Sequence, residues 1–587
     1  MSTDTSFRRL AVALLAGHAV VSAFVAIHCF PYGLTTEADG YQIVAKELLS
    51  GKVVTDGFHP LLYPLLAAPL VALLGDALIA CRLLSVVAAL LFLGASVVLA
   101  RRLGSPQAAV WTFAVLLPNS VVATLAPQAV SDVLAAAAMA LALERLAAWT
   151  CSGGRGFAAA ALAAGVASAV RVPSTIVVVV VALAGAVAAG SWRARSMRVV
   201  VAGLGWAVAH VPQWVAFAAT GTPLLGARSE TQFALKYLAH WDINRMPTDE
   251  PGAVWARLLQ DWPGIVHWWA ADAWSCLTEE LPRMLTGVAM PAPLALLFAF
   301  FLVCFVIRGA GRARGGAWPA WVALAHVAFV ALAFRPDPRV LLPLVCPCVA
   351  LAAAGMPAIV LRWPALLGLA VACSLPSAYA QLAAQDAGPE VVLAKRLERE
   401  LRPGIVGSTW LLMRAELGVP TFFLGPPPGP LPPAAAWARA REFVARSACD
   451  FVVVGRTTAP HLYQSLREVS VPPDARVIAD EPGVLVLSFG APSGIRGTLD
   501  LDPGAGTGDA RRLHYRGGLG GDDPPVRVGV LVVGPDGSRQ MVELQRIDDG
   551  WAAMWTPPAA CHLIVYATTS RGQVLRGPEL DVVGPPR

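Results

Sequence analysis

Charge is scarce in this sequence. Only 14% of its 587 residues are Asp, Glu, Lys or Arg, where a soluble globular chain carries about 25%. With 56% hydrophobic residues and a mean hydropathy of +0.60, that shortfall excludes an ordinary soluble domain and implies a polytopic membrane protein. The net charge of +6 gives no reason to expect a nucleic-acid partner. Much of the basic excess lies in short clusters beside apolar runs instead. The ten cysteines make no disulfide framework, and many sit within apolar runs (Cys81, Cys304, Cys346, Cys348, Cys373), where they act as small hydrophobes. No spacing resembles a zinc site. There is no Rossmann or P-loop fingerprint to hold a nucleotide, and no internal repeat.

Long apolar runs are what the sequence does have. The first covers residues 10–30 behind Arg8 and Arg9, and its length reads as a retained anchor rather than a cleaved signal. Further candidate spans cover 77–100, 106–124, 130–148, 156–171, 173–190, 198–219, 285–307, 317–334, 340–361 and 364–383. That makes about eleven spans. The segment 58–75 is a marginal extra, and 156–190 is hard to divide. With eleven, the basic clusters at 101–102, 193–198 and 308–314, and Arg362, all fall on the cytoplasmic side with the N-terminus. The acidic first loop and the long loop at 220–284 then lie outside. The Ala-, Arg- and Gly-heavy composition points to a GC-rich bacterium, hence to the inner or plasma membrane.

After about residue 385 the long apolar runs stop, and by the same alternation the tail is extracytoplasmic. Residues 392–401 have helical periodicity, while F-V-V-V-G at 451–455 and V-L-V-L-S-F at 484–489 read as short buried strands. From about 495 the chain reads as β-rich, with R-V-G-V-L-V-V at 527–533, a G-P-D-G turn at 534–537 and H-L-I-V-Y-A-T at 562–568. The expected architecture is mainly α. A membrane helix bundle covers 1–385, an extracytoplasmic α/β domain 386–494 and a β-rich domain 495–587. The tail carries no catalytic motif.

Placing the polar residues on this topology gathers them on one face. Glu37 and Asp39 come from the first outer loop just before an amphipathic helix carrying Ile43, Val44, Leu48 and Leu49, and Asp56 and His59 come from the same loop after it. Asp132 opens a span within S-D-V-L. Arg171 lies between two spans in R-V-P-S. Arg335, Asp337 and Arg339 come from F-R-P-D-P-R. Ionisable groups at membrane depth are costly and tend to be functional, and arginines on the outer side run against the positive-inside tendency. Guanidiniums offer forked donors to phosphate oxygens, and a carboxylate can take a proton from an attacking hydroxyl.

Each residue also has a plainer reading. T-E-A-D, Thr36 to Asp39, is a capping-box pattern, so Asp39 would cap the amphipathic helix. Ser131 and Asp132 would form an N-cap. Arg171, just before Pro173, would snorkel to the interface. His59 would be a turn residue ahead of Pro60, and Arg339 would anchor a span or pair with Asp337. The common placement, not any one residue, favours a site.

The order of motifs is familiar: an outer acidic motif before an amphipathic helix, H-P-L-L-Y (59–63), S-D opening a later span, and R-V-P between spans. A G-T-P (221–223) and R-V-L-L-P (339–343) follow. Across roughly residues 10–385 this resembles the GT-C superfamily of membrane glycosyltransferases, close to the protein O-mannosyltransferase and aminoarabinose-transferase type. The resemblance implies transfer from a polyprenyl-phosphate-sugar donor to an acceptor hydroxyl on the outer face. The acceptor would be a lipid, glycan or protein. Asp39, or less favourably Glu37, would be the catalytic base, and E-A-D here replaces the family's usual adjacent acids. Asp132 would position the acceptor or, in some members, bind metal. Arg171 and Arg339 would lie near the donor phosphate, and His59 and Tyr63 match the H-P-P-L-Y-type segment. No cofactor is called for, though a divalent metal fits the family. The tail is expected to cap the outer site and help select the acceptor. The alternatives are a transporter or flippase of lipid-linked sugars, which would more often show repeats in two halves, and a membrane-anchored envelope assembly protein.

Overall fold

The structure is a computed structural model of the chain. It describes residues 2–34, 37, 39–52, 59–153, 156–220, 232–241, 253–286, 290–313, 316–357, 359–401 and 405–582. Within the last range the exceptions are 420, 428, 448, 469, 474, 490–495, 504–510, 519–524, 534–538, 548–549, 556–560 and 570–573. Asp56, the G-T-P at 221–223 and the G-P-D-G at 534–537 lie outside the described residues.

The chain divides into two compact units, Met1–Ala384 and Gln385–Arg587. The described elements of the first are all helices. Among the described residues, six helices are long and apolar enough to cross a membrane: Arg9–His28, Ala77–Leu103, Ser131–Ser152, Trp192–Thr220, Ala292–Arg312 and Pro338–Gly355. Ala77–Leu103, Ser131–Ser152 and Pro338–Gly355 form the centre, packed through Phe92, Leu99, Met139, Leu143, Leu342 and Leu351. The others turn apolar side chains such as Val20, Phe24, Leu204 and Phe300 outward, as a surface solvated by lipid tails requires.

Several of the expected spans are interrupted: the helix within 340–361 ends at Gly355, and two other spans break internally. Residues 106–124 form two helices, Pro106–Leu116 and Ser120–Leu125, because Asn119 restarts the chain. Its Oδ1 accepts from the amides of Val121 and Val122 at 3.1 Å, and its Nδ2 donates to the Met284 carbonyl at 2.7 Å. Residues 364–383 likewise split into Pro364–Ala372 and Leu375–Ala383 around Cys373 and Ser374. The marginal segment 58–75 becomes a helix of 13 residues, Leu62–Leu74, about 20 Å long and too short to span alone.

Glycines seal two helix crossings. A Cβ on Gly165 would lie 2.2 Å from the Gly205 carbonyl oxygen, and one on Gly309 would lie 2.0 Å from that of Leu351. The backbones of Gly156–Val170 and Trp192–Thr220, and of Ala292–Arg312 and Pro338–Gly355, therefore touch directly, in the small-residue mode of membrane helices.

The second unit holds two sheets. The first takes β1 (Val406–Ser408), β2 (Thr421–Phe423), β3 (Phe451–Gly455), β4 (Ala475–Glu481) and β5 (Val484–Phe489) in the order β2-β1-β3-β5-β4. β1 is parallel to both its neighbours, and β5 is antiparallel to β3 and β4. Helices Gly388–Leu401, Pro433–Ser447 and Pro460–Arg467 belong to this part. Glu390 is buried at the C-terminal end of β3. It accepts from the hydroxyls of Thr457 at 3.0 Å and Thr458 at 2.8 and 2.9 Å, and a Cβ on Gly455 would collide with its carboxylate. The second sheet is antiparallel, from β6 (Arg496–Pro503) through β7 (Arg511–Gly518), β8 (Pro525–Val533), β9 (Arg539–Ile547), β10 (Gly550–Trp555) and β11 (Cys561–Thr569) to β12 (Val574–Val582). Its order is β12-β11-β8-β9-β10-β7-β6. Leu513, Tyr515, Val528, Val530, Leu563 and Val565 form its core. The strand readings at 451–455, 484–489, 527–533 and 562–568 each fall within an observed strand.

Candidate functional site

Four segments far apart in sequence bring their charged side chains to one point. Asp39 precedes Gly40, whose left-handed φ of 74° turns the chain into the amphipathic helix Tyr41–Leu49. No side chain caps that helix, so the capping reading of Asp39 fails: its carboxylate goes elsewhere. Asp132 stands in the first turn of Ser131–Ser152, where Val130 is the N-cap, so it is not a cap either. The helix dipole favours a carboxylate at that end. Arg171 follows the helix Gly156–Val170 in extended conformation, ahead of the tight turn Val172–Ser174. Arg339 lies in the first turn of Pro338–Gly355, whose N-cap Asp337 accepts from the Arg339 amide at 2.8 Å.

The contacts interlock. Arg339 Nη2 donates to Asp39 Oδ2 at 2.7 Å and to Asp132 Oδ2 at 3.1 Å, and its Nε reaches the same Asp132 oxygen at 3.2 Å. Arg171 Nε lies 2.6 Å from Asp132 Oδ1, and its Nη1 lies 3.6 Å from Asp39 Oδ2. Each aspartate thus sits between two arginines, and two positive charges balance two negative ones. Asp132 is sealed from solvent, while Asp39, Arg171 and Arg339 each keep about a fifth of their side chains open. His59 stands at the rim, its Nε2 3.8 Å from Asp39 Oδ1.

Burial works to raise the pKa of Asp39, but Arg339, Arg171 and His59 outweigh it and hold the carboxyl down to about 2. Burial likewise opposes the charge on Arg171, yet Asp132 leads a set of neighbours that drive its pKa up. Both groups are therefore charged near neutral pH. This is an electrostatic lock that any anionic ligand must enter by competing for the guanidiniums.

Glu37 and Tyr63 are not brought to this point. Glu37 is fully buried and bound on both oxygens. Its Oε1 accepts from Arg82 Nε at 2.8 Å and from the Ala129 amide at 2.7 Å, and its Oε2 accepts from Arg82 Nη2 at 2.8 Å and from the Leu34 amide at 2.7 Å. Arg82 also donates to the carbonyls of Ala26, Cys29 and Phe30. This is a structural knot tying the first helix, the acidic loop and the start of Ala77–Leu103. Tyr63 is buried behind the site, donating to the Cys81 carbonyl at 2.7 Å and paired with Ser85 at 2.9 Å. Its ring backs that of Tyr41 at 5.0 Å.

Sequence reasoning missed Tyr41 and Arg82 altogether and saw Ser131 only as a helix cap. The Tyr41 hydroxyl pairs with Ser131 Oγ at 2.9 Å, Ser131 accepts from Arg171 Nη1 at 3.3 Å, and the Tyr41 ring meets His59 edge-on at 5.6 Å. Arg82 did carry a signal, an ionisable residue in the second turn of an apolar span. Tyr41 carried none beyond its place beside Asp39.

Among the described residues no group of three or more His, Cys, Asp and Glu side chains is placed to hold a metal ion. Asp39 and Asp132 share Arg339 between them, so a cation there would have to displace a guanidinium. The residues as arranged do not fit one.

No protein-family model and no curated protein matches the sequence. Several solved structures are similar in shape. One is ArnT from Cupriavidus metallidurans bound to undecaprenyl phosphate, 16% identical over 81% of this chain and 97% of that one, with a TM-score of 0.47. A second is the Archaeoglobus fulgidus oligosaccharyltransferase in its apo form, 10% identical over 98% and 97%, at 0.48. A third is the mycobacterial arabinofuranosyltransferase AftD, 13% identical over 99% and 63%, at 0.40. Likenesses this weak carry no weight for the chemistry, which rests on the residues themselves.

Proposed function

We propose that this protein is an integral membrane glycosyltransferase that moves a sugar from a polyprenyl-phosphate-sugar donor to an acceptor hydroxyl at the extracytoplasmic face, with Asp39 as general base. One observation carries the reading: Asp39, Asp132, Arg171 and Arg339, from four separate segments, interlock at 2.6–3.6 Å at the ends of apolar helices. The order of motifs that resembles the GT-C superfamily supports it.

The chemistry follows from the residue types. The donor phosphodiester competes with the carboxylates for Arg171 and Arg339, whose forked donors suit its oxygens. As positive charge is drawn from Asp39, burial is left less opposed, and its pKa climbs toward the range a base needs. The acceptor oxygen attacks the anomeric carbon while its proton passes to Asp39. The bond from that carbon to the phosphate oxygen breaks, and the electron pair leaves with polyprenyl phosphate. The arginines stabilise the charge that develops there. Asp132, locked to both arginines, holds them in register, and His59 and Tyr41 line the acceptor side.

The test is sugar transfer in membrane vesicles from a panel of labelled polyprenyl-phosphate sugars, wild type against Asp39→Asn at matched expression. Transfer by wild type, lost in the variant, supports both class and base. Transfer surviving in the variant removes Asp39 as base. No transfer from any donor, with lipid-linked sugar moved across the bilayer, replaces the enzyme with a transporter.

A further inference from the structure

The helix Trp318–Ala333 ends immediately before the segment that presents Arg339, and its end is bonded in an unusual way. An α-helix leaves its last four carbonyls without intrahelical partners. Here the Val330 carbonyl still accepts from the Phe334 amide at 2.8 Å. The next four carbonyls are taken by side chains from one short stretch of the long internal loop. Lys236 Nζ donates to the Ala331 carbonyl and, at 2.9 Å, to that of Phe334. The Tyr237 hydroxyl donates to Leu332 at 2.6 Å, and Gln232 Nε2 donates to Ala333 at 2.9 Å. One turn earlier, Trp269 Nε1 reaches the Ala328 carbonyl at 3.0 Å. A cation at a helix C-terminus also meets the negative end of its dipole.

Lys236 is itself fixed. It is wholly buried and ion-paired to Asp272 at 2.6 Å, so the stretch is tied both to the helix end and to the helix Trp262–Ser275. What leaves the capped end is short and stiff. Phe334-Arg335-Pro336-Asp337-Pro338-Arg339 contains two prolines with φ restricted near −65°, and Asp337 holds the Arg339 and Leu341 amides, the first through its side chain and the second through its carbonyl at 3.1 Å. A displacement at Phe334 has few soft dihedrals to absorb it before Arg339.

We propose that Gln232, Lys236 and Tyr237 form a positioning clamp that sets where Arg339 stands between Asp39 and Asp132. Through these three side chains the long internal loop thereby acts on the reactive cluster from the far end of the 334–339 segment. Lys236 is a positioning residue in this account, not a catalytic one. The proposal rests on the glycosyltransferase reading only for its effect on turnover. The geometry of the clamp stands apart from it.

The experiment is hydrogen exchange followed by mass spectrometry on the full-length purified protein, comparing wild type, Tyr237→Phe and Lys236→Met. Tyr237→Phe removes one hydroxyl and keeps the ring, so it guards against a variant that simply fails to fold. Exchange at the Phe334, Arg339 and Leu341 amides is expected to rise at least about tenfold in Lys236→Met and by less in Tyr237→Phe. The helices Ala77–Leu103 and Ser131–Ser152 should stay at wild-type rates. Unchanged exchange at 334–341 in both variants, or a rise spread evenly over the whole membrane unit, overturns the clamp. In the vesicle assay, Lys236→Met should also lower turnover about tenfold at matched amounts of folded protein. The local exchange change, together with no transfer by wild type from any donor, keeps the clamp and removes the enzyme reading. The exchange change with full turnover in Lys236→Met overturns the link to Arg339.

Discussion

Glu37 and Asp39 lie two residues apart, and their environments predict opposite failures. In Glu37→Gln the side chain keeps its shape but loses its charge, and an amide nitrogen must replace one of the two accepting oxygens. That nitrogen faces donors, either Arg82 Nε with the Ala129 amide or Arg82 Nη2 with the Leu34 amide. Arg82, 2% exposed, is left as a buried cation without its counter-charge. Breaking such a pair from one side costs about 3–5 kcal/mol. Because Arg82 keeps the carbonyls of Ala26, Cys29 and Phe30, the lower end, about 3 kcal/mol, is expected. For a unit of this size that corresponds to a fall of about 3–6 °C in the thermal midpoint. Asp39→Asn should cost less, about 2 kcal/mol, because Asp132 still pairs with both arginines and the cluster is partly open. The assay is thermal unfolding of the purified protein in detergent, paired with transfer measured on the surviving folded fraction. Glu37→Gln should be fragile but active per folded molecule, and Asp39→Asn sturdier but inactive. A Glu37→Gln protein of wild-type stability that fails to transfer would refute the reasoning and move the base to Glu37.

Two further outcomes follow from particular contacts. Burial pushes the Glu390 carboxyl up to about 7, against hydroxyl bonds from Thr458 and Thr457 that lower it. An acid whose folded pKa stands above its unfolded value of 4.5 binds more protons folded than unfolded. Its stabilising contribution is therefore complete below 4.5 and lost as pH rises toward 7. Amides of Gly388–Leu401 and β3 should be better protected at pH 5 than at pH 8 once intrinsic rates are removed. Glu390→Gln should abolish the difference, and a difference that persists would sink the assignment. Gly309→Leu should lower the detergent midpoint more than Gly311→Leu, since a Cβ at Gly309 strikes a carbonyl oxygen while one at Gly311 meets nothing within 4 Å. Equal effects would show that the crossing is not so close.

What was legible in the sequence was what repeats locally. Apolar runs marked the central helices, and β-branched runs marked β3, β5, β8 and β11, because both signals come from residues a few positions apart. Asp132, Arg171 and Arg339 stood out as charges where charge is costly. The pairing between them was not legible, since contacts across 207 and 300 positions, Asp132 to Arg339 and Asp39 to Arg339, leave no trace in spacing. Local reasoning also misled where two rules competed. Thr36 to Asp39 has the letters of a capping box, but Gly40 with its positive φ is the residue that starts the helix. Pro118 and Asn119 inside an apolar run were a visible stop that run length overrode. The clamp on Trp318–Ala333 was hidden for the same reason as the cluster: Lys236 and Ala331 are 95 positions apart.

The two glycine crossings bear on how a long-chain substrate could reach the cluster from the side. Where Gly165 meets Gly205 and Gly309 meets Leu351 the helix backbones are in contact, and no hydrocarbon chain can slip between them. Those two seams are closed gates at those depths. Under the proposed function, the tail of a polyprenyl donor sliding in from the leaflet would have to take a different gap between helices. Detergents and lipids that wedge open seams elsewhere in the bundle should compete with it, and at these two they should not.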